Sequence, residues 1–347
     1  DEYAEVRERH KGRQSTKRQL NLEDARANAT EVDWANFTPV KPSFLGTKTL
    51  TDFPLAEIAE FIDWSPFFHT WELIGSYPKI LDDEIVGQHA RDLLKDAKAM
   101  LKQIIDEKWL TARAVIGFFP ANSRVDDVVL FEDDSRCQEK AVLHHLRQQN
   151  IKPPGRKNYC LSDYIAPVAS EVNDYVGAFA VTAGIGIEEH VKRFEAEHDD
   201  YQSIMIKALA DRLAEAFAEC LHQKVRKEYW GYAADESLEN TDLIDEKYKG
   251  IRPAPGYPAC PDHTEKATLF SLLNATEEVG IELTESFAMY PTAAVSGWYF
   301  ANPEAQYFNV GKLKKDQVEE YAERKHESLE TLERWLASSL AYDPDDN

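Results

Sequence analysis

The chain has 347 residues, with 40 Lys and Arg against 62 Asp and Glu for a formal net charge of −22, and 43% of it is hydrophobic. A chain of about 300 residues buries roughly 75% of the surface its unfolded form exposes, so an ordinary core suffices and neither disorder nor disulfide stapling is needed. The negative balance disfavours a nucleic-acid partner, which requires a basic face, and apolar runs such as Ala114–Phe119 are far too short to span a membrane.

Cys137, Cys160, Cys220 and Cys260 form no Cys-x-x-Cys pair, so they read as free thiols of a reducing compartment. The opening residues lack the plan of a secretory signal, and the expected location is cytoplasmic. Arg7, Arg9, Lys11, Arg13, Lys17 and Arg18 mark a charged linker or arm assigned to residues 1–34, and the body of the fold is assigned to 35–347. Spacing predicts a short helix over Leu55–Phe61. It predicts a one-faced helix over Gly87–Glu107, with Ala90, Leu94, Ala97, Leu101 and Ile104 on its stripe. The β formers Ala114–Phe119 and Asp127–Phe131, separated by a polar stretch with Pro120, Asn122 and Ser123, predict adjacent antiparallel strands.

Between Lys140 and Ser162 there is no carboxylate, while Lys140, His144, His145, Arg147, Lys152, Arg156 and Lys157 reverse the local sign. That window fits either an exposed loop balanced by neighbouring acids or a docking surface for an anionic partner. Gly177–Gly184 reads as a buried strand. The longest helix is predicted over Gln202–Tyr229, where Met205, Leu209, Leu213, Phe217, Leu221 and Val225 recur at helical spacing. Asp211, Glu215 and Glu219 align in a column on that helix, an arrangement that ordinarily faces water. Four prolines between Pro253 and Pro261 exclude regular structure from Gly250–His263. A helix over Thr264–Asn274, a strand pair of Leu283–Met289 with Ala294–Phe300, and a helix over Asp316–Leu340 broken near His326 complete the series. Blocks of helix around non-repeating strands predict an α+β fold, an antiparallel sheet with flanking helices, rather than a Rossmann fold.

The common enzyme motifs are missing. Gly184-Ile185-Gly186 has no third glycine, and there is no phosphate loop, nucleophile elbow or His-Glu-x-x-His helix. What stands out is Arg252 on a proline-locked backbone, a planar fork for a carboxylate with little freedom left to lose on binding. Gly256 would admit a ligand to the main chain, and Tyr257 would stack or donate. The same residues fit a rigid connector in which Arg252 pairs with a nearby acid such as Asp262. The column Asp211, Glu215 and Glu219 leaves open a carboxylate-based hydrolase, whereas Asp262 and His263, as chain neighbours, point apart and make a poor dyad.

The run Arg252–Lys266, with Phe61–Phe68, Ala208–Glu219, Leu283–Met289 and Ser296–Phe300, resembles the C-terminal activation domain of cobalamin-dependent methionine synthase, in the same order from about residue 35. The resemblance implies a methyltransferase module that binds S-adenosylmethionine. It would position that ligand for reductive methylation of cob(II)alamin on a cobalamin-binding module of the same polypeptide, with an electron from flavodoxin or a similar reductase. The parent enzyme moves methyl from 5-methyltetrahydrofolate to homocysteine in methionine biosynthesis. No Asp-x-His-x-x-Gly signature and no Cys-Cys pair occurs here, so cobalamin and the homocysteine zinc would be held by other modules. Carried over residue by residue, the family's Arg-x-x-x-Gly-Tyr motif falls on Arg252, Gly256 and Tyr257, with Ala254 on the main chain that reads adenine. The ligand-binding aspartate falls on Asp63, the aromatic pair on Tyr307 and Phe308, and nearby acids on Glu215 and Glu246. A tyrosine is common at the second aromatic place, where Phe308 lacks the hydroxyl. No catalytic base is implied, because the sulfonium already activates its methyl group. The alternative within this resemblance is a regulatory domain that senses S-adenosylmethionine without supporting methyl transfer.

Overall fold

In the computed structural model of this chain, which describes residues 19–345, the apolar run around Val115 becomes the middle of a six-stranded antiparallel sheet. The elements follow as α1 (Leu22–Ala27), β1 (Gly46–Phe53), α2 (Leu55–Ala59), α3 (Ser65–Thr70), α4 (Gly87–Asp106), β2 (Thr111–Arg124), β3 (Asp127–Phe131) and β4 (Glu139–His144). Then come β5 (Asp174–Ile185), α5 (Ile187–Ala196), α6 (Asp200–Lys224), α7 (Asn240–Ile244), α8 (Glu265–Leu273) and α9 (Ala275–Val279). The chain closes with β6 (Glu282–Leu283), β7 (Met289–Tyr290), β8 (Ala294–Tyr299), α10 (Lys315–Lys325) and α11 (Leu329–Trp335). The α+β class and antiparallel sheet expected from the sequence are what is found.

The sheet order is β4-β3-β2-β5-β8, and β1 also pairs with β2. Because β5 runs along one edge of β2, β1 and β3 share the other edge in succession, β1 against 112–118 and β3 against 121–124. Both faces of the sheet are covered. Ala112, Ala114, Ile116 and Phe118 of β2, with Phe179 and Val181 of β5, pack under α4 and α6. The alternate residues Val115, Phe119, Val176, Ala178 and Ala180 pack under α8, α9 and Trp298. A strand that turns an apolar side chain to each layer reads as a continuous hydrophobic run rather than an alternating one. Helix α6, N-capped by the Asp199 side chain on the Gln202 N–H, spans the first layer and passes into a π turn at Val225–Tyr229.

Three local readings are corrected. The stretch with Pro120, Asn122 and Ser123 is not a loop but the end of β2, and the reversal comes at Val125 and Asp126. Leu283–Met289 does not pair with Ala294–Phe300. Instead β6 pairs with β7 in a two-stranded ribbon, and β8 is the edge partner of β5. The carboxylate-free window is largely internal. Arg147 is 3% exposed and binds Asp126 and, bidentately, Asp163, while His145 is 1% exposed. Lys140 pairs with Glu132 and His144 with Asp127, which leaves Lys152, Arg156 and Lys157 as its outward cations. The missing carboxylates are thus supplied by residues that flank the window in sequence, Asp126, Asp127 and Glu132 before it and Asp163 directly after it.

Arginines 7–18 of the expected arm lie outside the described residues. Residues 19–34 hold α1, whose Leu22 and Ala25 are buried and whose Arg26 binds both Asp126 and Glu320 of α10. Around α10 and α11 a third apolar cluster, with Leu146, Val318, Tyr321 and Leu332 at its heart, forms a small lobe, and the expected break at His326 is a left-handed C-cap. No helix among the described residues is long and apolar enough to cross a membrane.

His145 carries a pH-dependent cost. Burial, opposed only in part by Asp127 and Asp126, pushes its pKa from the ordinary 6.5 down to about 3. The folded state therefore binds fewer protons than the unfolded one between those values, and stability is lost as pH falls through that window. Replacing His145, whose ring lies 6.0 Å edge-on to that of Phe300, with Phe should flatten the acid limb by up to about 1.4 kcal/mol per pH unit. Urea unfolding at pH 7, 5 and 4 reads this slope, and an unaltered slope contradicts the assignment.

Candidate functional site

The proline-rich segment is irregular but tied down at every step. Ile251 and Phe300 exchange backbone hydrogen bonds (3.0 Å each), and the Trp298 N–H donates to the Pro253 carbonyl at 2.9 Å, stitching the segment to the end of β8. Gly297 is needed for this approach, since a Cβ there would lie 2.7 Å from the Pro253 carbonyl oxygen. Within the loop, the Gly256 N–H donates to the Cys260 carbonyl (2.7 Å) and the Tyr257 N–H to that of Ala254 (3.1 Å), while the Val310 N–H donates to the Pro258 carbonyl (2.9 Å). The backbone N–H of Arg252 donates to the Tyr307 hydroxyl (3.0 Å), itself 2.9 Å from that of Tyr248.

The Arg252 side chain crosses to α6 and binds Glu219, with Nη2 2.5 Å from Oε2. Burial works against the guanidinium's charge, but Glu219, Tyr307 and Tyr248 together more than offset it and hold Arg252 protonated. A cleft of about 440 Å³ opens beside it, walled by Phe179, Ala254, Pro258, Tyr307 and Phe308. A second chamber of about 370 Å³ is walled by Phe61, Asp63, Pro66, Arg212 and Glu219. Glu215, Glu246 and Arg252 border both, so the two join at the guanidinium. The first is aromatic and proline-lined. The second sets the carboxylates Asp63, Glu215, Glu219 and Glu246 against only two arginines, a surplus of negative charge that favours a cationic ligand. Glu246 is a non-glycine residue at φ 56, and burial raises its carboxyl pKa, with Arg252 opposing and Glu219 adding to the shift. Strained backbone of this kind clusters where side chains must be aimed.

Most of the residues singled out from the sequence thus meet in one place: Asp63, Glu215, Glu246, Arg252, Ala254, Tyr257, Tyr307 and Phe308 line the joined cleft. Tyr257 stands at its rim, 58% exposed. Phe308 packs against Tyr159 rather than offering a polar contact. Asp63 accepts the Ser65 N–H on Oδ1 (2.9 Å) at the start of α3, which fixes its carboxylate at the chamber wall. Gly256 is off the walls, and it serves the loop instead: its φ is 92, and a Cβ there would fall 2.3 Å from the His263 ring. The connector alternative is half right, because Arg252 is paired, but with Glu219. Asp262 instead accepts from Tyr321 (2.8 Å) and Lys325 (2.9 Å). The column on α6 divides into an exposed Asp211, a half-buried Glu215 and a buried Glu219; the last two face one chamber, but Glu219 is taken up by Arg252, so the column does not present a free pair of carboxylates for hydrolysis.

Sequence reasoning missed Glu219 as the partner of Arg252, and Tyr248 and Arg212 as parts of the site. Glu219 sat in a motif already singled out, but only the fold brings its helix over the loop.

The model of the family described as "Vitamin B12 dependent methionine synthase, activation domain" matches residues 54–326. A solved structure described as "Crystal Structure of the MetH Reactivation Domain bound to AdoHcy" is 53% identical in sequence and superimposes with a TM-score of 0.91, covering 94% of this chain and 99% of that one.

Gly256→Ala should destabilise the fold by about 1–3 kcal/mol through the left-handed backbone and the clash with His263. Adding His263→Ala should return the part due to the clash. Thermal unfolding measures both, and an equal loss with and without the His263 ring contradicts the contact.

Proposed function

We infer function from the family to which the chain belongs, the activation domain of vitamin B12-dependent methionine synthase. In this reading the chain binds S-adenosylmethionine across the joined cleft and holds it for delivery of its methyl group to a cobalamin carried by another module. The observation that carries the proposal is Arg252 at the junction of an apolar cleft and an acid-rich chamber. The aromatic and proline walls suit adenosine, with Ala254 and its neighbours reading the adenine edge through main-chain groups. Arg252 holds the methionyl carboxylate, and Asp63 accepts from the ammonium. Glu215 and Glu246, between the two spaces, favour a sulfonium by their charge. The neighbour bound to AdoHcy, the same ligand without the transferable methyl, supports this choice.

S-adenosylmethionine supplies a methyl already activated by positive sulfur, so the protein's part is to orient that methyl and exclude water. No general base is called for. The finer reading is that the module restores methylcobalamin by reductive methylation after cob(II)alamin has formed. The electron would come from flavodoxin or a related reductase, and the parent enzyme would carry methyl from 5-methyltetrahydrofolate to homocysteine. Cobalamin and the homocysteine zinc fall to modules with their own ligands.

A domain that only senses S-adenosylmethionine would bind the ligand equally well, and it is separated from this reading by reactivation of an oxidised cobalamin module. Arg252→Ala should weaken S-adenosylmethionine binding by about 1.5–3 kcal/mol in calorimetry, since a charged hydrogen-bonded contact is lost. Unchanged affinity removes the role. For the acidic reductase the outward cations Lys152, Arg156 and Lys157 form the docking patch, Arg147 being internal. Reversing Arg156 and Lys157 to Glu should lower flavodoxin association and flatten its salt dependence. Association insensitive to both changes argues for another surface.

A further inference from the structure

We propose that Glu219 is a positioning residue for ligand binding, acting through Arg252 as an inner member of an alternating line of charges, Glu236, Arg226, Glu219 and Arg252. The inference rests on the functional reading above and adds to it the group that aims its carboxylate-binding fork. Arg226 is fully buried in the π turn that ends α6, and its Nε and Nη2 bind Glu236 at 2.9 and 2.8 Å. Its Nη1 lies 3.8 Å from Glu219 Oε1, and neither atom has a hydrogen-bond partner among the described residues. The other Glu219 oxygen holds Arg252 Nη2 at 2.5 Å. Glu219 is therefore drawn between two guanidiniums, of which the rear one is clamped and the front one faces the cleft.

This arrangement decides which edge of Arg252 is offered. With Nη2 taken by Glu219, Nε remains buried and without a hydrogen-bond partner among the described residues, while the backbone N–H of the same residue is held by Tyr307. Nε has no surface that a ligand could reach, so Nη1, neither bonded nor buried among the described residues, is the donor left for a carboxylate in the cleft. An arginine side chain otherwise has many rotamers to lose on binding, so a fork already fixed from behind binds more tightly than a free one. Arg226 follows Glu219 by seven residues, about two helical turns, which sets both on one face of α6 where the helix passes into its π turn.

The test uses three probes on the full chain by calorimetry: S-adenosylmethionine, S-adenosylhomocysteine and 5′-methylthioadenosine, which lacks the amino-acid tail. Glu219→Gln should weaken the first two by a similar factor, about tenfold, and leave the third unchanged. Combined with Arg252→Ala it should add little to the loss of Arg252 alone, because both act on one contact. Weakening of S-adenosylmethionine alone would show that Glu219 acts on the sulfonium and overturns the proposal. Weakening of all three probes would show a general structural role and overturns it too, as does tighter binding, which would mark Glu219 as a competitor for the fork. Should Glu219→Gln not fold, Glu219→Asp, which keeps the charge but draws it back by one methylene, carries the same expectation. If Arg252→Ala weakens binding and neither Glu219 variant does, the functional reading survives and this inference fails. If the unaltered chain binds neither S-adenosylmethionine nor S-adenosylhomocysteine, both fail.

Discussion

One ion pair joins the two halves of the site. Arg252 belongs to a loop stitched to the end of β8, Glu219 belongs to the longest helix, and their contact fixes the loop relative to α6. Two charges removed from water in this way gain little unless geometry and further hydrogen bonds compensate for their lost hydration. Here the compensation is local: the loop backbone is bonded to β8, Tyr307 accepts from the Arg252 N–H, and Arg226 stands behind Glu219. Without the sheet none of these groups would meet, since the residues that converge on the cleft come from points as distant as Asp63 and Phe308.

The same solution to buried charge recurs on the far side of the sheet, where Asp126, wholly buried, accepts from Arg147 and Arg26. Arg26 continues to Glu320, so the N-terminal segment, the β2–β3 turn and the small C-terminal lobe share one network. A chain with a surplus of negative charge thereby uses its few internal cations as cross-links. The cost falls on elements such as His145 and His222, which burial keeps neutral.

The cleft itself divides labour between shape and charge. Apolar walls of Phe179, Val295, Tyr307 and Phe308 remove a ligand from water, and the adjoining carboxylates select for positive charge. That pairing matches the proposed ligand, in which an aromatic base lies at one end and a zwitterionic tail beyond a sulfonium at the other. In that reading no conventional triad is called for. Where the transferred group arrives activated, binding and alignment are the whole task of the protein.

Much was legible in the chain itself. The antiparallel character of the sheet followed from β formers around a short reversal, α6 from its helical periodicity, and the irregular loop from prolines that forbid anything regular. The resemblance to a family pointed to Asp63, Glu215, Glu246, Arg252, Tyr307 and Phe308, and these residues share one cleft. What escaped were relations between distant segments. Glu219 in an acidic column looks like a solvated charge until Arg252 is folded against it. Arg147 in a basic window looks exposed until Asp126 and Asp163 enclose it, and Gly256 looks like a gap for a ligand until His263 fills the space. Local pattern determines which conformations a segment can adopt, because sterics and periodicity act over a few residues. Whether a charge is free or paired depends on which groups the packed layers bring within a few ångströms, and only the tertiary structure decides that.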